Sequence, residues 1–334
     1  MNSDLRGPHR FDVFSDPDRV GEDAASALDR YRRAAARFEE SGGEPTVWLP
    51  TLRLALRAAD HILQTGLSTN RIGGDDDIPL NADKMTELSR ALNRAASAAE
   101  MMEQGRGPDA VADLRGDVRL GYRSPVDDTD QPFCLYLPDD YDASRQWPLM
   151  VRLHGAWSDI DEAQWTIQTY EWDREFVRYA PRGSFVDLYP WGRGNVWYRD
   201  AGERDVLDAL DLAERLFSID PDRVSLMGSS MGADGGWRIA AAHAGRFAAF
   251  CGIVGKYDLD LAESFRDLPV MLQYGGLDKP ERVTSPQQTA GRLKELGATV
   301  EIIAHPDSGH RLETTDYQLS YYQFFARHRR RAAG

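Results

Sequence analysis

Short apolar segments alternate with amphipathic segments through the last two thirds of the chain, and this alternation limits the fold more than any other feature. Six segments are rich in apolar and β-branched residues: PLMVRLHG, SFVDLYPWG, RVSLMGS, FAAFCGIVG, PVMLQYGG and TVEIIAH. Helical segments such as ERDVLDALDLAERLF and SPQQTAGRLKELG separate most of them. Strands that alternate with helices form right-handed βαβ units. An α/β fold with a mostly parallel sheet flanked by helices is therefore predicted.

The first 110 residues have helical periodicity and little strand signal. Three apolar stripes repeat at intervals of three and four residues, which predicts three helices. The stripes are Ala24, Leu28, Tyr31, Ala35 and Phe38; Leu52, Leu56, Ala59 and Leu63; and Met85, Leu88, Leu92, Ala95, Ala99 and Met102. Asn81 is the expected cap of the third helix, and the stretch GGDDDIPL before it is expected to be an acidic loop.

These patterns divide the chain into an N-terminal helical segment, residues 1–112, and an α/β domain, residues 113–334. The second part opens with the alternating residues Val118, Leu120 and Tyr122, a polar PVDDTD turn and QPFCLYLP, which predict a β-hairpin. Edge packing is the favoured role of the N-terminal helices. A lid, or a dimer surface in a homo-oligomer, is the alternative.

The charge balance excludes some partners. The chain has 40 Lys and Arg against 54 Asp and Glu, a formal net charge of -14. A surface that binds nucleic acid needs clustered cations, and a chain of this charge is repelled by anionic membranes, so neither is an expected partner. The N-terminal residues lack the apolar core of a secretory signal, and no run reaches the roughly 18 apolar residues of a membrane span. A cytoplasmic location is expected, with Cys134 and Cys251 as buried free thiols.

The segment RVSLM leads directly into Gly228, Ser230 and Gly232, and then into a helical segment. This is a GxSxG pattern in the strand, turn and helix that a nucleophile elbow requires. Side chains two positions before and after the nucleophile would collide with the neighbouring strand or helix, and only Ser230 has glycine at both positions. Ser230 is the predicted nucleophile, and Ser229 is predicted to be a turn residue.

A serine hydroxyl needs a histidine base that a carboxylate orients. In this arrangement the acid and then the histidine follow the serine along the chain. His310 is the preferred base, because it lies in the turn-rich HPDSGH loop after the last strand, whereas His305 ends that strand and His328 lies in an arginine-rich tail.

The acid is expected at the end of an earlier strand. Asp278 follows PVMLQYGG in a loop with two glycines and is the preferred acid. Asp258 and Asp260, which follow the preceding strand, remain the alternatives.

A tetrahedral intermediate needs two backbone donors. The amide of Met231, at the start of the helix after the nucleophile, is one predicted donor. The other is the amide of Ala156, with Trp157 second, in the loop after the third strand. His154 is expected to make a structural hydrogen bond in this loop.

Aromatic residues cluster after the third and fourth predicted strands, where substrate loops belong. Trp157, Trp191 and Tyr198 are the predicted substrate-binding residues, and the same segments hold Trp165, Trp172 and Trp197. Packing within the protein is the alternative for each. An aromatic acyl or alcohol group is the substrate feature that this cluster favours.

Four stretches resemble the polyhydroxybutyrate-depolymerase-like and prolyl-oligopeptidase-like esterases of the α/β-hydrolase superfamily. They are YLPDDYDASRQWPLMVRLHG, GERDVLDALDLAERLFSIDPDRVSLMGSSMGADGGWRIAAAHAGRFAA, YGGLDKP and SGH, and they cover residues 131–325 in outline. The resemblance implies the α/β-hydrolase fold and a hydrolase of a small-molecule ester or amide that needs no metal or cofactor. Ser230, Asp278 and His310 fall on the family's triad. Ala233 departs from the family pattern, which often has a glycine there, and the loop after His154 lacks the usual additional glycine.

The leading functional hypothesis is a serine carboxylesterase that works through an acyl-enzyme. A peptidase, amidase or acyltransferase with the same triad is the second hypothesis. A non-catalytic binding module is the third, and the presence of all three triad residues argues against it.

Overall fold

The computed structural model describes residues 20–40, 47–65, 82–107, 110–111, 114–156, 185–312 and 316–330. Its contacts divide the chain into two compact units. The first holds the described residues up to Tyr136, and the second holds those from Leu137 onward. The division proposed at residue 112 stays a prediction.

Three helices open the first unit: α1 (Val20–Glu40), α2 (Trp48–Thr65) and α3 (Ala82–Glu103). They confirm the three helices predicted from the apolar stripes. Where the structure describes their side chains, most stripe residues are buried, and α2 contacts both α1 and α3. The predicted cap Asn81 and the predicted loop GGDDDIPL lie outside the described residues.

Two adjacent strands, β1 (Gly116–Arg123) and β2 (Asp130–Leu137), follow in the segment predicted as a hairpin. Strand β1 lies close to α2: the amide of Gly121 on the strand donates to Thr51 Oγ1 on the helix over 2.8 Å. A Cβ on Gly121 would lie 2.5 Å from Leu54 Cδ1. Only glycine therefore permits this approach of strand to helix.

The second unit contains six strands that run parallel in the order β4-β3-β5-β6-β7-β8. They are β3 (Trp147–Leu153), β4 (Val186–Pro190), β5 (Ile219–Ser229), β6 (Ala249–Ile253), β7 (Val270–Gly275) and β8 (Val300–His305). Every residue of β3, β4, β6 and β7 is buried, as expected of strands covered on both faces. The predicted α/β fold is confirmed.

Helices α4 (Ala201–Leu216), α5 (Met231–Ala242), α6 (Pro280–Glu295) and α7 (Asp316–Ala326) accompany these strands. Short 3-10 segments cover Ala244–Arg246 and Leu259–Phe265. Strand β4 lies on one side of β3 and β5 lies on the other, so the strand order changes direction at β3. Open α/β sheets bind ligands beyond the carboxyl ends of the strands at such a point.

A buried polar cluster connects α7 to the sheet. Arg152 on β3 lies 3.3 Å from the Asp187 carboxylate on β4, and its other terminal nitrogen donates to the Tyr321 hydroxyl over 2.7 Å. The Tyr322 hydroxyl donates to the same carboxylate over 2.9 Å. Burial raises the pKa of Asp187, and Arg152 opposes that shift. The cluster fixes the helix that follows the His310 loop.

Cys134 and Cys251 are buried and free, as predicted from their apolar surroundings. Burial raises the pKa of the Cys251 thiol. Among the residues that the structure describes, no helix combines the length and apolarity needed to cross a membrane.

Candidate active site

Ser230 lies in the sharp turn between β5 and α5. Its φ of 54° is in the left-handed region, and its amide donates to Ile253 O over 2.9 Å. A Cβ on Gly228 would lie 2.1 Å from Gly232 O, and a Cβ on Gly232 would lie 2.3 Å from Leu153 O. Both contacts are with backbone, which cannot rotate away. The turn therefore requires glycine at the two positions that the GxSxG argument singled out.

Three side chains from separate loops meet beyond the carboxyl ends of the strands. His310 Nε2 lies 2.9 Å from Ser230 Oγ, and His310 Nδ1 lies 2.8 Å from Asp278 Oδ2. An ionised carboxylate can only accept, so Nδ1 carries the proton and Nε2 can accept from the serine hydroxyl. The result is a continuous hydrogen-bond chain from serine through histidine to aspartate.

Asp278 and His310, the acid and the base of this hydrogen-bond chain, differ in solvent exposure. The Asp278 side chain is 3% exposed, and its second oxygen accepts from the Lys279 amide over 2.7 Å. The His310 side chain is 48% exposed. The carboxylate is thus shielded from solvent, whereas the imidazole is open to an incoming molecule.

The loop that holds Asp278 lies directly against the loop that holds His310. A Cβ on Gly275 would lie 2.0 Å from Gly309 O, and the amide of Leu277 donates to Ser308 O over 2.9 Å. This close backbone approach sets the distance between the carboxylate and the imidazole. It also explains why a glycine begins the acid loop.

The other acids and bases considered from the sequence lie elsewhere. The Asp258 carboxylate accepts from the Asp260 amide and caps a 3-10 segment. His305 Nε2 lies 3.0 Å from Gln273 Oε1, and His328 lies beyond α7. Burial, with Arg327 second, lowers the pKa of His328. Neither histidine takes part in the hydrogen-bond chain that reaches Ser230.

The two predicted oxyanion donors lie in segments that adjoin the nucleophile. Met231 is the first residue of α5, where an amide has no intrahelical acceptor. A Cβ on Gly155 would lie 3.5 Å from Ser230 Cβ, so the loop after β3 contacts the elbow, and Ala156 follows at an exposed position. The oxyanion role of both amides stays a prediction. Trp157 lies outside the described residues.

His154 joins two loops. Its Nδ1 lies 2.7 Å from Gly155 O, and its Nε2 lies 2.9 Å from Trp191 O in the loop after β4. Burial lowers the pKa of this histidine, although both carbonyls act in the opposite direction. Because both ring nitrogens face backbone carbonyls of the protein, His154 has the structural part that the sequence suggested.

Trp191 and Tyr198 differ from their predicted role as substrate contacts. They are 5% and 0% exposed, and their rings lie 5.6 and 5.5 Å from the His154 ring. The Tyr198 hydroxyl also donates to His154 O over 3.2 Å. Protein covers both rings, so direct substrate contact is corrected to a role in holding the loop after β4.

An ion pair beside the elbow was not predicted from the sequence. Arg282, at the start of α6, donates to Val254 O and lies 3.6 Å from the Asp234 carboxylate on α5. Both charged side chains are 12% exposed. Val254 has a φ of 48°, which is rare for a β-branched residue, and it directly follows the carbonyl that binds the Ser230 amide. Neither a largely buried arginine nor a left-handed valine has a sequence signature.

The turn after β6 explains why an alanine can occupy position 233, where the family pattern often has a glycine. A Cβ on Gly255 would lie 2.6 Å from Ala233 Cβ, so a side chain cannot be present at both positions. The departure from the family pattern at residue 233 is thus matched by a glycine in the facing turn.

Residues 192–330 match the model of the dienelactone hydrolase family. This range includes the elbow, the acid loop and the histidine loop. The chain has the α/β-hydrolase fold. Within the described residues, no group of three or more His, Cys, Asp or Glu side chains is arranged to hold a metal ion.

Solved structures share this fold at low identity. A thermostable esterase has a TM-score of 0.50 and 20% identity, with 64% of this chain and 63% of that chain covered. S-formylglutathione hydrolase from Staphylococcus aureus has a TM-score of 0.50 and 15% identity, with 63% and 97% covered. A putative dipeptidyl aminopeptidase IV from Bacteroides ovatus has a TM-score of 0.51 and 10% identity, with 64% and 36% covered.

One curated relative matches part of the chain. Dipeptidyl-peptidase 5 of Porphyromonas gingivalis is 25% identical over 140 residues. The match covers 38% of this chain and 19% of the relative, so the chain corresponds to about a fifth of that protein's length.

Proposed function

We propose that the chain hydrolyses a carboxylic ester through a triad of Ser230, His310 and Asp278 and an acyl-enzyme intermediate. The observation that carries this proposal is the hydrogen-bond chain, 2.9 Å from serine to histidine and 2.8 Å from histidine to aspartate. The strained backbone of Ser230 supports it, because strain of this kind is retained where function requires it.

In the first half of the reaction, His310 Nε2 accepts the proton of the Ser230 hydroxyl while Oγ attacks the ester carbonyl carbon. Negative charge develops on the carbonyl oxygen, and the amides of Met231 and Ala156 donate to it. Asp278 keeps the proton on Nδ1 and stabilises the imidazolium. The tetrahedral intermediate collapses, His310 returns its proton to the leaving alkoxide, and the alcohol departs.

In the second half, water replaces the alcohol. The exposed edge of His310 can accept a proton from water as the oxygen attacks the acyl carbon. Collapse of the second intermediate returns the proton to Ser230 Oγ and releases the carboxylic acid. Each proton lost by one group is gained by another, so the enzyme ends in its starting state.

Cleavage of an amide or peptide, and transfer of the acyl group to an acceptor other than water, use the same residues. Peptidase activity is the second candidate, because the curated relative is a dipeptidyl-peptidase. The ester is preferred because a dienelactone, which gives the matching family its name, is a cyclic ester.

A fluorophosphonate probe and p-nitrophenyl acetate test the proposal together. We expect wild-type protein and Ser229→Ala to be labelled and to turn over the ester, and Ser230→Ala to lose both properties. Undiminished turnover in Ser230→Ala would refute the assignment. Matched ester and anilide substrates with the same acyl group then compare esterase with amidase activity, and a higher kcat/KM for the anilide would favour the peptidase.

A further inference from the structure

The loop after β4, residues 191–200, concentrates backbone strain. Of the seven described non-glycine residues with positive φ, four lie in this loop: Arg193, Trp197, Tyr198 and Asp200. One other is Ser230 itself. A left-handed non-glycine residue costs on the order of 1–2 kcal/mol, so the surrounding structure must hold this loop in place.

Contacts with both sides of the candidate active site hold the loop. On the side of the loop after β3, Trp191 O lies 2.9 Å from His154 Nε2. On the side of the nucleophile helix, Arg238 donates to Trp197 O, and a Cβ on Gly235 would lie 3.1 Å from the same oxygen. Gly235 is one helical turn beyond Met231, so the loop is fixed against the elements that carry both proposed oxyanion donors.

Two adjacent apolar side chains of this fixed loop are exposed. Val196 is 44% exposed and Trp197 is 41% exposed, whereas the neighbouring Tyr198 is fully buried. Trp197 thus keeps an accessible aromatic face on a backbone that its neighbours hold in a left-handed conformation. A rigid aromatic face of this kind is well suited to a flat apolar ligand.

We propose that Trp197, with Val196 beside it, binds an aryl or similarly flat apolar group of the ester. This inference rests on the proposed function, because the site matters only if Ser230 attacks an ester bound nearby. It moves substrate recognition from the buried Trp191 and Tyr198 to the exposed residues of the same loop. The aryl group belongs to either the acyl or the alcohol half of the ester, and the choice of substrates separates the two.

The test compares methyl benzoate, phenyl acetate and ethyl acetate, each followed by acid release. Trp197→Ala should lower kcat/KM for one of the two aryl esters about tenfold more than for ethyl acetate, since an aromatic contact contributes roughly that factor. The ester that loses more identifies the half that binds. Trp197→Phe keeps a flat ring on the same backbone and should keep most of the aryl preference.

Leu319→Ala is the matched control, because Leu319 on α7 is also 41% exposed, and it should leave the aryl preference unchanged. Equal losses for all three esters in Trp197→Ala, or no loss, would overturn the proposal. So would a Trp197→Phe variant that loses the preference as fully as alanine. Fluorophosphonate labelling of Ser230 in each variant distinguishes these outcomes from failure of the esterase proposal itself.

Discussion

At the scale of single residues, the contacts of each side chain decide which residue takes each role in the candidate site. Asp278 is the clearest case, because its shielded carboxylate is the one bonded to His310. We expect Asp278→Asn to lower kcat by about 10⁴, the cost of losing the orienting carboxylate in a serine protease. Asp258→Asn, which alters the alternative acid, should stay close to wild type. The reverse order of effects in ester hydrolysis would move the acid to Asp258.

Gly232 offers a second test at this scale. A Cβ there would lie 2.3 Å from Leu153 O and 2.6 Å from His154 O, so it would push the loop after β3 away from the elbow. Gly232→Ala should therefore lower both kcat and the free energy of unfolding. Gly291→Ala is the control, because a Cβ at this α6 position meets nothing within 4 Å and should stabilise the helix by roughly 0.5–1 kcal/mol. Urea unfolding and ester turnover of both variants measure these effects. A Gly232→Ala variant as stable and as active as Gly291→Ala would contradict the prediction.

At the scale of elements, Arg282 connects α6, α5 and the turn after β6. Arg282→Met should remove one cation from the largely buried Asp234 carboxylate and lower the free energy of unfolding by about 1–3 kcal/mol. Asp234→Asn should recover part of that loss in the double variant. Burial is the main cause that raises the pKa of Asp234, so removing its charge relieves the larger penalty.

Arg282→Met should also affect the position of Ser230. Arg282 donates to Val254 O, and Val254 directly follows Ile253, whose carbonyl accepts from the Ser230 amide. We expect kcat to fall more than KM rises in Arg282→Met, with partial recovery in Arg282→Lys. Arg266→Met is the control, since its pair with Glu263 is more than half exposed and contributes little. Equal stability of Arg266→Met and Arg282→Met would contradict the proposed connection.

The elements also show which parts of the structure can be predicted from sequence. Strands β3, β4, β6 and β7 were predictable, because burial on both faces gives continuous apolar runs. The elbow was predictable because it requires glycine at two fixed positions. The burial of Trp191 and Tyr198 was not, because a loop has no periodicity that separates an inward ring from an outward one. The position of His154 between two backbone carbonyls was not predictable either, because it depends on the meeting of loops 37 residues apart in sequence.

At the scale of the whole molecule, stability of the second unit depends on a charged cluster inside its core. Asp187→Asn should lower the free energy of unfolding by about 3–5 kcal/mol, because the Arg152 charge stays buried after its partner is neutralised. Asp140→Asn, which breaks an exposed pair with Arg145, should cost less than about 1 kcal/mol. A shift in the urea midpoint without a change in slope would measure this difference, and equal midpoints for the two variants would contradict it.

The esterase proposal as a whole predicts a covalent intermediate at one residue. The direct measurement is to quench the wild-type protein with acid during turnover of p-nitrophenyl acetate and to determine the mass of the peptide that contains Ser229 and Ser230. We predict one acetyl group on Ser230, and an unmodified peptide from Ser230→Ala. An acetyl group on another residue, or turnover in Ser230→Ala at the wild-type rate, would contradict the account.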